Sequence, residues 1–329
     1  MRAWARRSVL AGIVGAALAA VLAAGPASAQ NKLAVVTTTG MIADAVKQVG
    51  GDRVQVTSLM GPGVDPHTYR QTRSDISALT RADAVVWHGL YLEAQLEDFL
   101  KDLARRKPVV ALADQLPKDR LLTDGGTADR YDPHVWMDPR LWKRVVEAAR
   151  DALIKLEPQS EPVFRANAVR HLAEIEALAD YADKAFASVP ESSRILITAH
   201  DAFNYFGRAY NYEVLGIQGI STESEAGLKQ IENLVGTIVA RKIGAIFVES
   251  SVSDRNVKAL VEGAAAKGHT VVIGGELFSD AMGAPGSYTG TYIGMIDHNV
   301  TVITRALGGK APAQGFNNRL ASAQQDSRQ

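Results

Sequence analysis

The tripeptide Asp-Pro-His occurs as Asp65-Pro66-His67 and again as Asp132-Pro133-His134, each time in a stretch with loop chemistry rather than helical or strand periodicity. Proline fixes its own φ and holds the residue before it extended, so each imidazole leaves a stiff loop in a set direction. A preset donor loses less entropy on binding, which suits a metal ligand. A third histidine, His200, directly follows the apolar run 195–198, and Asp280 lies in the loop after the apolar run 270–273. Imidazole nitrogen and carboxylate oxygen are the natural donors for zinc and its first-row neighbours. The chain has no cysteine, so thiolate sites, disulfides and a lipid-bearing cysteine are excluded, and any metal must be held by nitrogen and oxygen.

Four donors make one site only if the fold delivers them to one place. From residue 32 onward short apolar runs alternate with segments of helical spacing: strands are expected at 33–36, 54–59, 84–87 and 109–112, then at 195–198, 214–217, 245–248 and 270–273. Helices are expected between them, including 93–106, 201–210, 227–241, a helix to 267 capped by Asp254, and 293–307. Such alternation specifies α/β lobes, each a mainly parallel four-stranded sheet flanked by helices. Between the halves, Phe164, Ala168, Leu172, Ile175, Ala179, Ala182 and Phe186 recur in steps of four and three, the face of one long helix over 160–190 that starts near Ser160 and stops at Pro190. This helix reads as a rigid backbone joining an N-terminal lobe, 30–159, to a C-terminal lobe, 191–310. In open α/β sheets ligands sit beyond the carboxyl ends of the strands. His67, His134, His200 and Asp280 all fall at those ends, two from each lobe.

The remaining polar candidates have plainer readings. Asp65, Asp132 and Asp201 are candidates for accepting the other ring N–H of the adjacent histidines. His88, on the same rim, is read not as a ligand but as a residue that supports a ligand or lines the site's mouth. Glu249, ending the run 245–248, is read as a cap or an ion-pair partner of Arg255. His171, His269 and His298 are read as surface or satisfied side chains, and Trp87, Trp136 and Phe203 as core that could also wall the site.

Lys plus Arg and Asp plus Glu balance at 36 each, which gives no net electrostatic reason to seek nucleic acid. Arg2, Arg6 and Arg7, an Ala-rich apolar run and Ala27-Ser28-Ala29 form a signal peptide over 1–29, and the Arg6-Arg7 pair leaves Sec and twin-arginine export both open. The mature chain is therefore expected to be a soluble periplasmic protein, with a flexible tail over 311–329.

The motifs Val64-Asp65-Pro66-His67-Thr68-Tyr69, Asp132-Pro133-His134-Val135-Trp136, Thr198-Ala199-His200-Asp201-Ala202-Phe203, Phe247-Val248-Glu249 and Ser279-Asp280, in this order around a long helix, resemble the zinc- and manganese-binding receptors of bacterial ABC importers. That family is solute-binding protein family 9, cluster A-I. The resemblance implies a monomeric, non-enzymatic receptor that holds a metal in the cleft through His67, His134, His200 and Asp280 and delivers it to a membrane permease driven by a cytoplasmic ATPase. Two features depart from the family labels. The loop 114–130 lacks the histidine-rich insertion of many zinc-specific members, and His200 stands where manganese-specific members often have glutamate. Three imidazoles and one carboxylate suit tetrahedral Zn²⁺, with Mn²⁺ or Fe²⁺ as alternatives. The rival reading is an exported zinc hydrolase with Glu249 as base, although four protein donors leave no open position for water and no H-E-x-x-H is present.

Overall fold

The computed structural model describes residues 32–124 and 130–320, in which eight strands and nine α-helices alternate. The expected signal peptide at 1–29 and the end of the tail, 321–329, lie outside the described residues.

In the first half, β1 (Leu33–Thr37), β2 (Val54–Ser58), β3 (Ala84–Trp87) and β4 (Val109–Ala111) form one parallel sheet in the order β2-β1-β3-β4. Chain direction across the sheet reverses between β1 and β3, so a crevice opens at their carboxyl ends. In the second half, β5 (Ile195–Thr198) pairs in parallel with β6 (Glu213–Gly216), and β7 (Ala245–Glu249) with β8 (Val272–Leu277). β5 and β7 lie side by side, so the spatial order β6-β5-β7-β8 repeats that of the first half, although hydrogen bonding forms two ladders instead of one.

The helices start where their caps dictate. Thr39 accepts Ile42 N at the head of α1 (Gly40–Gly50), and Thr72 with Asp75 forms a capping box on α2 (Arg73–Arg81). The expected helix over 93–106 shrinks to α3 (Glu97–Leu103). Glu93 is drawn away to accept His88 N at 2.8 Å, Gly89 N at 3.2 Å and the Thr38 hydroxyl at 2.5 Å, which holds the preceding residues in turns. Asp138 caps α4 (Pro139–Leu156), whose first residue is proline.

The long helix is α5 (Glu161–Ala187), about 40 Å at 1.5 Å per residue. Ser160 occupies the cap position, but its Oγ donates to Glu157 Oε1 at 2.7 Å and does not cap. Phe164, Ala168, Ile175, Ala179, Ala182 and Phe186 are buried as the spacing requires. His171 is buried among them with neither ring nitrogen hydrogen-bonded, so it is neither the surface nor the satisfied side chain the sequence suggests. α1 and α4 of the first half and α9 (Tyr292–Ala306) of the second pack on this helix, and a single hydrophobic core runs from Val35 through Phe164 and Ile175 to Leu307. Truncating one such large buried side chain costs about 3–5 kcal/mol, so the halves cannot part widely without breaking shared packing.

Further α-helices are α6 (Asn204–Tyr210), α7 (Leu228–Ala240) and α8 (Arg255–Ala266). Asp254 does not cap α8; it pairs with Lys258 at 2.6 Å. β8 continues past the expected end through Gly274 and Gly275, where a Cβ would meet Ala306 at 2.8 Å and Val302 at 2.5 Å, so the glycines let α9 lie close on the strand. The start of the expected flexible tail is tied down: Phe316 N donates to Asp297 Oδ1 at 2.7 Å and Leu320 is buried.

Candidate metal centre

His67, His134, His200 and Asp280 are brought together, all buried, with one donor atom from each lying within 4.8 Å of the others. His134 Nε2 is 3.3 Å from both His67 Nε2 and His200 Nε2. Asp280 Oδ2 is 3.1 Å from His200 Nε2 and 3.8 Å from His67 Nε2, and Oδ1 is 3.4 Å from His134 Nε2. A tetrahedron of donors about 2.0–2.1 Å from zinc has edges of about 3.3–3.4 Å, close to the separations among His134, His200 and Asp280, while His67 stands wider at 3.8 Å from Asp280. Both carboxylate oxygens of Asp280 are buried with no hydrogen-bond donor aligned on them. A buried carboxylate costs several kcal/mol unless positive charge faces it, and a divalent cation among the four donors would supply that charge in place of protons on His134 and His200.

His134 is fixed by Asp132. Asp132 Oδ1 accepts both its backbone N–H (2.9 Å) and its ring Nδ1–H (2.7 Å), which points Nε2 at the other donors, as a lone pair once its proton has left. Asp132 in turn accepts Asn204 Nδ2 at 3.1 Å through Oδ2, and Tyr205 OH at 2.9 Å through its carbonyl. His88 stays outside the cluster; its Nε2 donates to Pro133 O at 2.8 Å and its ring packs against Trp136, 5.0 Å between centroids. Burial pulls the His88 pKa down to about 3. Trp136 is completely buried and ties the His134 loop to the Asp280 loop by donating Nε1–H to Ser279 O at 2.8 Å.

His200 is held by Glu249. Glu249 Oε1 accepts His200 N at 2.8 Å and Oε2 accepts the ring Nδ1–H at 2.5 Å. Glu249 therefore takes the orienting role expected of Asp201 and does not turn to Arg255. Asp201 is adjacent in sequence, whereas β7 beside β5 makes Glu249 adjacent in space; the strand order is the signal that would have found it. At His67, Asp65 accepts the backbone N–H at 2.9 Å and does not bond the ring.

The electrostatics divide the histidines. Burial, reinforced by the neighbouring imidazoles, lowers His67 to about 4. Burial also opposes charge on His134 and His200, but Asp132 and Asp280 raise His134 to about 9, and Asp280 with Glu249 holds His200 well above the ordinary range. Burial would raise Asp280, yet His200 and His134 keep it well below the usual carboxylate range.

A two-lobed parallel α/β fold braced by one helix, with a closed pocket of three imidazoles and a carboxylate between its halves, defines a metal-ion receptor. Comparisons with known proteins agree. Residues 35–306 match the family of the zinc-uptake complex component A, periplasmic (ZnuA), and the chain belongs to that family. It is 46% identical over 280 residues to the manganese-binding lipoprotein MntA of Bacillus subtilis, spanning 85% of this chain and 91% of that one. It is 44% identical over 281 residues to the zinc-binding protein TroA of Treponema pallidum, again 85% and 91%. The solved structure of the periplasmic zinc-binding TroA superposes with a TM-score of 0.82 over 84% of this chain and 99% of that one, at 44% identity. Fe(III)-bound YtgA of Chlamydia trachomatis superposes with a TM-score of 0.77 at 28% identity, over 85% and 99%. The chain is thus a metal-binding receptor of an ABC importer and not an enzyme, which removes the hydrolase reading.

Proposed function

We propose that this receptor captures one divalent transition-metal ion, Zn²⁺ in preference to Mn²⁺ or Fe²⁺, through His67, His134, His200 and Asp280. The observation that carries the reading is the buried Asp280 carboxylate with no aligned donor, faced by three Nε2 atoms at 3.1–3.8 Å. Three neutral imidazoles and one carboxylate favour zinc by donor type and by the Irving–Williams order. Asp280 presents one oxygen to His134 and the other to His200, so bidentate binding would extend the shell to five donors and admit manganese or iron. The names of relatives do not rank the metals, since those at similar identity are called manganese-binding and zinc-binding.

In this reading a signal peptide over 1–29 delivers a monomer to the periplasm, with lobes 30–159 and 191–310 joined by the helix 160–190. Metal binding favours the closed arrangement by its differential affinity. Because the core is continuous across α5, closure consists of small tilts and loop movements. The loaded form then meets a membrane permease coupled to a cytoplasmic ATPase.

The test is a competition titration of metal-stripped protein with Zn²⁺ and Mn²⁺ against a calibrated chelator, beside His200→Ala and Asp280→Ala. The expected result is one-to-one binding with zinc the tighter. Each variant should lose at least about a hundredfold, since one of four ligands carries about 3 kcal/mol of a zinc site worth about 10–16. Binding untouched by both changes would refute the site.

A further inference from the structure

His67 differs from the other three donors in what holds it. His134 and His200 each have a buried carboxylate on the ring, and Ser279, next to Asp280, is tied to Trp136. No carboxylate hydrogen-bonds the far ring nitrogen of His67 among the described residues; its place is set through Asp65. Asp65 Oδ1 accepts His67 N, while Oδ2 accepts Thr68 Oγ1 at 3.0 Å and Thr222 Oγ1 at 2.6 Å.

Thr222 comes from the other half of the molecule, in the loop between β6 and α7. Its neighbour Glu223 makes a second bond across the cleft, accepting Gln95 Nε2 at 2.6 Å. The root of the same loop is fixed beside His200: Gln218 N donates to Ala199 O at 3.0 Å and Asp201 N to Gly219 O at 3.3 Å. The loop 218–227 is thus a strap anchored beside one donor and fastened over the loop of another.

We infer, building on the metal-receptor reading, that Thr222 is a positioning residue: it clasps the His67 loop through Asp65, and this bond must open before His67 can leave the ion and the ion can leave the protein. Freeing His134, His200 or Asp280 requires disrupting buried bonds within the shared core. Freeing His67 requires breaking hydrogen bonds at a partly exposed edge, where local opening is least costly. The Thr222 hydroxyl donates to a carboxylate, a bond stronger than a neutral pair, so one residue can govern release.

The experiment is a stopped-flow chelator chase of the zinc-loaded chain. Thr222→Val keeps the volume and removes the hydroxyl; metal release should quicken about tenfold, with the association rate and the metal-free melting temperature unchanged. Thr222→Ser should restore slow release, and Gln95→Ala, which cuts only the exposed second bond, should quicken it about twofold. Release from Thr222→Val at the wild-type rate would overturn the clasp, as would faster release that Thr222→Ser fails to rescue. If Thr222→Val does not fold, Thr222→Ala, which also removes the hydroxyl, decides, with wild-type release overturning the clasp. Loss of zinc in Asp280→Ala beside wild-type release in Thr222→Val would remove the clasp alone. Zinc binding that survives Asp280→Ala would overturn the receptor site and the clasp with it.

Discussion

The two Asp-Pro-His loops share a tripeptide and a local turn, yet they are built into the molecule differently. In each the aspartate accepts the histidine backbone N–H at 2.9 Å, as a short side chain two residues ahead of a donor does. Beyond that they part. Asp132 also takes the ring of His134, is itself gripped by Asn204 and Tyr205, and sits in the shared core. Asp65 leaves the ring of His67 alone and reaches across the cleft to Thr222. The tripeptide sets the backbone turn, whereas the surroundings decide whether the imidazole is a fixed donor or a movable one.

The largest consequence is in pH. His67, near 4, is already neutral at any working pH, whereas His134, near 9, and His200, raised well above the usual range, hold protons that a metal must displace. The sign follows: affinity rises with pH between the His67 and His134 values, and binding expels about two protons, so Kd should tighten about a hundredfold per pH unit. Competition titrations over about two pH units measure this slope. His134→Ala should lower it towards one and His67→Ala should leave it near two; a wild-type slope of one or less would abolish the contrast between the loops.

A smaller effect sharpens the same contrast. Glu249→Gln puts an amide where one carboxylate accepts both N–H groups of His200. One amide oxygen cannot serve both sites, so the ring tautomer or the backbone bond is lost, and zinc affinity should fall about 10- to 100-fold. Asp65→Asn keeps an acceptor for His67 N and turns its amide N–H to Thr222, whose hydroxyl can reverse and accept it, so the change should cost only about threefold by the same titration. Equal losses in the two variants would mean that the His67 and His200 loops are held alike.

The strands, the long helix and the four candidate donors were legible because they rest on local signals: apolar runs, a 3.6-residue period from Phe164 to Phe186, and proline-stiffened loops at strand ends. Partnerships between distant segments were not legible. Glu93 looked like the start of an amphipathic helix, but burial raises its pKa to about 7 and it serves Thr38 and the loop after β3. Glu249 looked like an ion-pair partner for Arg255 because only the order of strands puts it beside His200. The apolar signal of the last strand stops at residue 273 because glycine weakens strand signals, whereas in the fold Gly274 and Gly275 continue β8 and make room for α9.

The central claim is that three imidazoles and one carboxylate close around a single ion, and zinc K-edge X-ray absorption of the one-to-one complex tests it most directly. The expected spectrum has four or five nitrogen and oxygen donors at about 2.0–2.2 Å, with outer-shell scattering from three imidazole rings. A shell dominated by water oxygens, with one imidazole or none, would contradict it.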